Sequence, residues 1–509
     1  MPYFLGIDVG TSSTKAVIID GEGAVVTLQK VAYDIICLKS GWSEQQPEIW
    51  WAACVESIRK ALAVFDRPAS QISGIGVSNQ MHSLVVLDEA LQCVRPSILH
   101  NDSRTGEQAA FLCDALGADA LNLTKNPIYT GMTLSSLLWI RDHEPENYVR
   151  IAHVLLCGDY VRLRLTGTLA TDHSNASATL AYDFKKGAWS DQILGAAKVP
   201  GVFFPPCFDS TDIQGAVSEA AAQETGLISG TPVAFGGGDQ VMQSIGSGAI
   251  RPGQATVNIG SGGQVCVQAQ ALTPNPEAGV NTFTSYRKHK WYLMGANSNA
   301  GSAFKWLCQD ILQMAGYDGV DQAVSRVAPG ADGLVFLPYL SGERCPHQNA
   351  LLSGSFFGLT HLTDRARMMR AAMEGITFSL LDCLNACRAS GASPEALIAL
   401  GGGTNSREWR QMLSDIFDLP IRTPSFKEPA VLGAALCAAV GVGHFGTIGD
   451  ACDACVRYSE ERIEPNPGVR TVYSQYFNVY RDLFRFARPV LERVTRLGRG
   501  ISEWGGTTP

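Results

Sequence analysis

The chain has 509 residues, 46% hydrophobic and 17% charged, with a formal net charge of −8 and an isoelectric point near 5.6. These proportions predict a large packed core in two or three domains and exclude an extended disordered chain. No basic block interrupts the acidic balance, so nucleic acid is excluded as the main partner, and no apolar run is long enough for a membrane span.

The first twenty residues carry Asp8 and Lys15 and lack a continuous apolar core, so no secretory signal is expected. The 14 cysteines are spread singly through apolar runs, which predicts reduced thiols and a cytoplasmic protein. The Cys452–Cys455 spacing has no second pair to complete a zinc site.

Strand patterns occupy 4–9, 15–20, 24–28 and 31–36. Between the first two lies GTSST, residues 10–14. Gly10 permits close approach, and the hydroxyls of Thr11 and Ser12 with the turn N–H groups suit a phosphate. Asp8, at the end of the strand, has the hard oxygens that Mg²⁺ takes. Taken alone, the stretch also reads as a plain hairpin with an Asp-capped turn. The spacing predicts a helix over 48–65, strands over 72–78 and 83–88, and mainly helix over 104–200.

Near 231 the pattern restarts. PVAF leads into GGGDQ (236–240), read as a glycine turn, and ATVNI leads into GSGG (260–263). VNIGSGGQVCV echoes GIDVGTSSTKAVI, which predicts two domains of related architecture, 1–247 and 248–509, parted at a Gly/Pro break. Helices are expected around 302–315 and 365–387. A fourth glycine turn, GGGTNS (401–406), opens a helix. AVLGAALCAAVGVG (430–443) reads as a buried small-residue helix packed closely on a sheet, and a helix over 474–496 precedes a polar tail expected to be poorly ordered. None of the turns has P-loop or G-x-G-x-x-G spacing. Asp239, past its glycines, is placed either to take a proton from an attacking hydroxyl or to cap the next helix; both readings stay open here.

Taken together, these residues resemble the FGGY carbohydrate kinases along nearly the whole chain. GIDVGTSSTK resembles the family's first phosphate motif, NIGSGG its second, GGGTNSREWRQMLSD its adenosine motif, and residues 354–376 its second signature. GWSEQQPEIWW (41–51), NQMHSLVVLDE (79–89), HNDSRTGEQ (100–108) and LPYLSGERCPHQN (337–349) resemble members that act on D-xylulose. The resemblance implies an α/β, two-domain actin-like ATPase (ribonuclease H-like) fold with a nucleotide and sugar cleft between domains. It implies ATP-dependent phosphorylation of D-xylulose to D-xylulose 5-phosphate, with a kinase for another polyol or a sugar acid such as gluconate, or a catalytically degenerate actin-like ATP-binding protein, as the alternatives. Asp239 would be the base and Asp8 would help place Mg²⁺, with ATP as co-substrate. Met81, His82, Asp102, Arg104, Asp239 and Gln240 would bind the sugar, with Trp42 as a neighbour. Gly10, Thr11, Ser12, Gly260, Ser261, Gly262, Gly301, Lys305, Gly402 and Gly403 would bind the nucleotide. Family members are often dimers, so a homodimer is a further expectation. Four positions depart from the family pattern: Ser261 stands for Thr, Gln240 for Asn, Ser136 for Lys and His100 for Trp.

Overall fold

A computed structural model describes residues 2–272 and 279–504. The contacts group into two units: Met1–Ile250 with Thr282–Tyr292 and Glu428–Arg457, and Arg251–Asn281 with Leu293–Lys427 and Tyr458–Pro509. The chain first leaves the first unit within a few residues of the expected 247/248 boundary, but it returns twice, so one cut does not divide it.

In the first unit the sheet order is Ile213–Ala216, Pro232–Gly238, Ile72–Asn79, Tyr3–Val9, Ser13–Asp20, Val25–Ala32. Tyr3–Val9 pairs antiparallel with Ser13–Asp20 and parallel with Ile72–Asn79. The strands expected at 24–28 and 31–36 form one strand, Val25–Ala32. The segment expected at 83–88 forms Val85–Leu87, in a separate pair with His153–Leu155. Helix Pro47–Val64 starts with a proline at its first turn, where no N–H is missed, and buries Trp50, Cys54, Ile58 and Ala61 at helical spacing. Helices Gly106–Leu116, Thr133–His143 and Cys157–Thr166 fill much of the helical region.

The second return is made by helix Pro429–Gly441, whose small residues meet sheet glycines. A Cβ on Gly6 would lie 2.1 Å from the Val431 carbonyl oxygen, and one on Gly76 1.9 Å from that of Ala434. Helix and sheet backbones touch there because no side chains intervene.

The second unit repeats the pattern of the first. Gln254–Ile259 pairs antiparallel with Gly263–Ala269 and parallel with Ala396–Leu400. Gly301–Lys305 continues as a wider π-type turn over Trp306–Ile311. Helix Arg365–Ala389 is capped by Asp364, whose carboxylate accepts from the Arg367 N–H. The last helix spans Arg470–Trp504 and so runs past 496 into the polar tail, of which residues 505–509 lie outside the described residues. Among the described residues no helix is long and apolar enough to cross a membrane.

Candidate functional site

The GTSST turn is closed by the Gly10 N–H donating to the Ser13 carbonyl (3.0 Å). Two side chains from elsewhere pin its outer carbonyls. Tyr33 Oη–H donates to Gly10 O (2.6 Å), and Gln45 Nε2–H donates to Thr11 O (2.8 Å). Gln45 is itself held by Trp50 Nε1–H (2.8 Å). Thr11 stays half-buried and Ser12 exposed at the tip.

Asp8 is 6% exposed and sits in register with Lys15 on one side and Ser78 on the other. Ser78 Oγ–H donates to its Oδ1 (2.8 Å), and Lys15 Nζ lies 3.4 Å from Oδ2. Lys15 also pairs with Glu428 at 2.8 Å. Burial pulls the Lys15 ammonium down, but the two carboxylates outweigh it and hold its pKa above the ordinary value.

The glycines of GGGDQ are not a turn. Strand Pro232–Gly238 runs through all three, and helix Asp239–Gly246 starts directly after it. Gly236 has φ of +64°, and a Cβ on it would lie 1.9 Å from the Val77 carbonyl oxygen. The glycines therefore let an irregular strand press against Ile72–Asn79 and deliver Asp239 at the first helical position; Gly238 takes the cap. Burial, and then the charge of Asp8, push the Asp239 carboxyl up to about 7, while hydrogen bonds from the Gln240 backbone and side chain and the charge of Lys15 pull it back. One departure from the family pattern, Gln240, thus serves that carboxyl.

Met81 packs beside this point: a Cβ on Gly238 would lie 2.8 Å from its Cγ, and Tyr292 Oη–H points at its sulfur (3.7 Å). His82 takes the left-handed conformation (φ +67°), which a non-glycine residue holds only at a cost in strain. Its Nδ1 is 2.7 Å from the Ala178 carbonyl, and its ring lies beside Phe283. Asp102 and Arg104 present no free charge. Arg104 binds Asp102 (2.7 Å) and Glu44 (2.6 Å) and stacks over Trp42 at 3.6 Å, while the Ser43 N–H donates to Asp102 (2.6 Å). Arg95 extends the set to Glu44 and Glu144. These residues brace the loops at 41–45 and 100–105. Ser136 is buried in helix Thr133–His143, and His100 is half-buried.

In the second unit a cavity of about 1090 Å³ is lined by Gly260, Ser261, Gly301, Lys305, Gly402 and Gly403, which are six of the seven nucleotide residues expected on this half. Gly262 lies in the same turn but is not part of the lining. Phe304, Tyr317 and Trp409 supply aromatic walls. The glycines are close-packing requirements: a Cβ on Gly301 would lie 2.5 Å from the Gly260 carbonyl oxygen, and one on Gly403 2.4 Å from Ile259 Cγ2. The turn at 260–263 is fixed by the Gly263 N–H donating to Asn297 Oδ1 (2.6 Å). Ser406 caps helix Arg407–Phe417 and also donates to Asp321 (2.5 Å). The volume exceeds that of most small-ligand sites, which leaves room for an aromatic base, a sugar and phosphates.

Among the described residues no cluster of three or more His, Cys, Asp or Glu forms a metal cage. Mg²⁺ does not need one, because it keeps several waters and takes one or two carboxylates plus phosphates. Asp8, nearly buried close to the end of strand Tyr3–Val9, fits that donor set. Sequence reasoning missed Tyr33, Gln45, Ser78, Glu428, Phe304 and Tyr317. Ser78 follows from the register of the parallel strand, whereas Glu428 has no local signal because a distant helix brings it in.

A hairpin with a glycine turn, extended by a parallel strand and repeated in both units, defines the actin-like ATPase class of α/β fold. The chain belongs to the FGGY family of carbohydrate kinases: the family's N-terminal domain matches residues 3–246 and its C-terminal domain residues 255–442. It is 33% identical to a xylulose kinase of Bacillus subtilis (strain 168), covering 95% of this chain and 97% of that one. It is 30% identical to a gluconokinase of the same organism, covering 90% and 91%. The crystal structure of a xylulose kinase from Rhodospirillum rubrum superposes with a TM-score of 0.89 at 28% identity, covering 96% of this chain and 99% of that one. The protein is thus an ATP-binding sugar kinase of this family.

Proposed function

We propose that the protein is a xylulokinase, transferring the γ-phosphoryl group of ATP to the terminal hydroxyl of D-xylulose to give D-xylulose 5-phosphate. The reading is carried by the placement of Asp239, which strand Pro232–Gly238 delivers at the first position of helix Asp239–Gly246 beside Asp8, where burial and that second carboxylate push its carboxyl up to about 7. A base with a pKa near the working pH takes a proton efficiently from an alcohol as the O–P bond forms. Asp239 accepts that proton while ADP leaves. Met81, His82 and Gln240 contact the sugar beside it, and the Gly10–Ser12 turn and the Gly260–Gly263 turn bind phosphates. The cavity of the second unit takes the adenosine. Mg²⁺, held through Asp8, would neutralise charge on the phosphates.

Two observations favour a neutral ketopentose over gluconate. The xylulose kinase relative is somewhat more similar than the gluconokinase. A sugar acid also calls for a free cation, and Arg104, the arginine expected at the sugar, is already neutralised by Asp102 and Glu44. ADP release with MgATP and D-xylulose, D-ribulose, L-ribulose, glycerol or D-gluconate tests the substrate. D-Xylulose is expected to exceed each of the others in kcat/KM by about tenfold or more. A preference for gluconate would overturn the assignment while leaving the kinase intact.

Gly402 gives a clean test of the nucleotide cavity. It lines the cavity, and a Cβ there meets nothing within 4 Å. Gly402→Phe is expected to fold normally, raise KM for ATP by about tenfold or more and leave KM for the sugar within about threefold, since only the nucleoside competes with the new ring. An unchanged KM for ATP would remove the nucleotide from this cavity.

A further inference from the structure

Beneath the GGGD segment lies a polar network that the proposed chemistry does not use. Arg162, Asp172 and Ser174 are each 0% exposed, and Asp159 1%. Such groups are expensive to bury, and apolar residues would fill the same space at less cost. Their bonds converge on one strand. Arg162 pairs with Asp159 and Asp172, and its Nη1–H donates to the Phe235 carbonyl (2.8 Å). Asp172 accepts from the Ser174 hydroxyl (2.5 Å), the Asn175 N–H (2.9 Å) and Asn175 Nδ2–H (2.6 Å). Ser174 Oγ in turn accepts from the N–H of Gly238 (3.0 Å), the residue before Asp239.

The polarity of this relay is fixed. A serine hydroxyl has one proton, and Asp172 takes it, so Ser174 must turn a lone pair toward Gly238. The middle glycine of the segment is explained by the same contact: a Cβ on Gly237 would lie 2.5 Å from Ser174 Oγ. From the other side Asn175 Nδ2–H donates to Asn79 Oδ1 (2.9 Å), and Asn79 is the register partner of Gly238. Gly238 is therefore gripped at its N–H and through its neighbouring strand, one residue before the carboxyl that must be aimed.

We propose that Ser174 and Asp172 are positioning residues that set the backbone of Gly238 and thereby the direction of the Asp239 carboxylate. The inference rests on Asp239 being the base. Small displacements of a reacting group are costly, with about 1 Å worth up to about a hundredfold in rate. Ser174→Ala removes one hydroxyl and adds no bulk.

The test compares Ser174→Ala with Ser177→Ala in the full chain, using MgATP and the sugar with the highest turnover. Ser177 is a matched control: it is equally buried, and its hydroxyl bonds Ser174 O and the Thr284 N–H but not the Gly238 path. Ser174→Ala is expected to lower kcat by about tenfold to a hundredfold with both KM values within about threefold. Ser177→Ala is expected to lose similar thermal stability and keep kcat within about twofold. A kcat for Ser174→Ala within twofold of the parent, or equal losses in both variants, overturns the proposal. Should Ser174→Ala not fold, Asp172→Asn, which keeps size but also removes the charge that pairs with Arg162, is read by the same criteria. Asp239→Asn run alongside separates the two claims. Turnover retained there defeats the base assignment; loss there with Ser174→Ala intact defeats only the positioning role.

Discussion

Asp239→Asn is expected to lower kcat by about a thousandfold, with the fold intact and KM for ATP little changed, because a general base supplies about 10²–10⁴ of the rate. The amide fills the same space and keeps a hydrogen-bonding oxygen, but it takes no proton. The parent is expected to show kcat/KM rising with pH through about 7, where Asp239 ionises, and the residual activity of the variant is expected to lack that limb. Stability should move the other way. The carboxyl titrates near 7 when folded against an ordinary 3.8, so between these values the folded chain holds more protons than the unfolded one. The stability contributed by the protonated form is present at low pH and is lost as pH rises through about 7. Asp239→Asn escapes both the desolvation and the repulsion from Asp8. It is expected to melt above the parent at pH 8 and to lose most of that advantage by pH 5. Turnover near the parental rate in this variant would remove Asp239 from the chemistry; a melting temperature below the parent at pH 8 would contradict the crowding of the two carboxylates.

The hairpins that carry the two phosphate turns were legible because each is local: an apolar strand, a glycine turn and a second apolar strand close on themselves. The echo between VNIGSGGQVCV and GIDVGTSSTKAVI corresponds to the same antiparallel and parallel pairings in the two units. The GGGDQ segment was misread as a turn because glycine freedom alone was considered. Its glycines answer to neighbours, namely Val77, Ser174 and Met81, that no local rule brings near. Asp102 and Arg104 show a second limit. Their residue types suit a sugar, yet each is the other's partner, and the third member of the set, Glu44, lies far off in sequence in the short strand Glu44–Gln45. The return of Glu428–Arg457 to the first unit was hidden for the same reason: the helix at 429–441 was readable as buried and closely packed, but not the sheet against which it packs.

That helix gives the largest expected effect on folding. Gly76→Ala is expected to destabilise the protein by about 3 kcal/mol or more, and Gly76→Val to prevent folding at 37 °C, because overpacking a tight contact costs about 1–3 kcal/mol even where side chains can yield. Here they cannot. The new Cβ at 1.9 Å would meet the backbone oxygen of Ala434, and Gly433 on the same helix is equally confined, its Cβ falling 1.9 Å from the Met242 carbonyl oxygen. The helix is pressed on two sides and has no free direction in which to move. Gly106→Ala is the matched control, since a Cβ there meets nothing within 4 Å and alanine favours a helix; its melting temperature is expected to stay at or slightly above that of the parent. The docking also carries function. Glu428, immediately before the helix, holds Lys15, and Lys15 holds Asp8. Any Gly76→Ala protein that folds should therefore lose kcat, by about tenfold, at temperatures where it is fully folded. Thermal melts with turnover measured well below the transition separate the two effects. A parental melting temperature would show that helix and sheet lie further apart, and a parental kcat in a destabilised protein would show that Lys15 does not need Glu428.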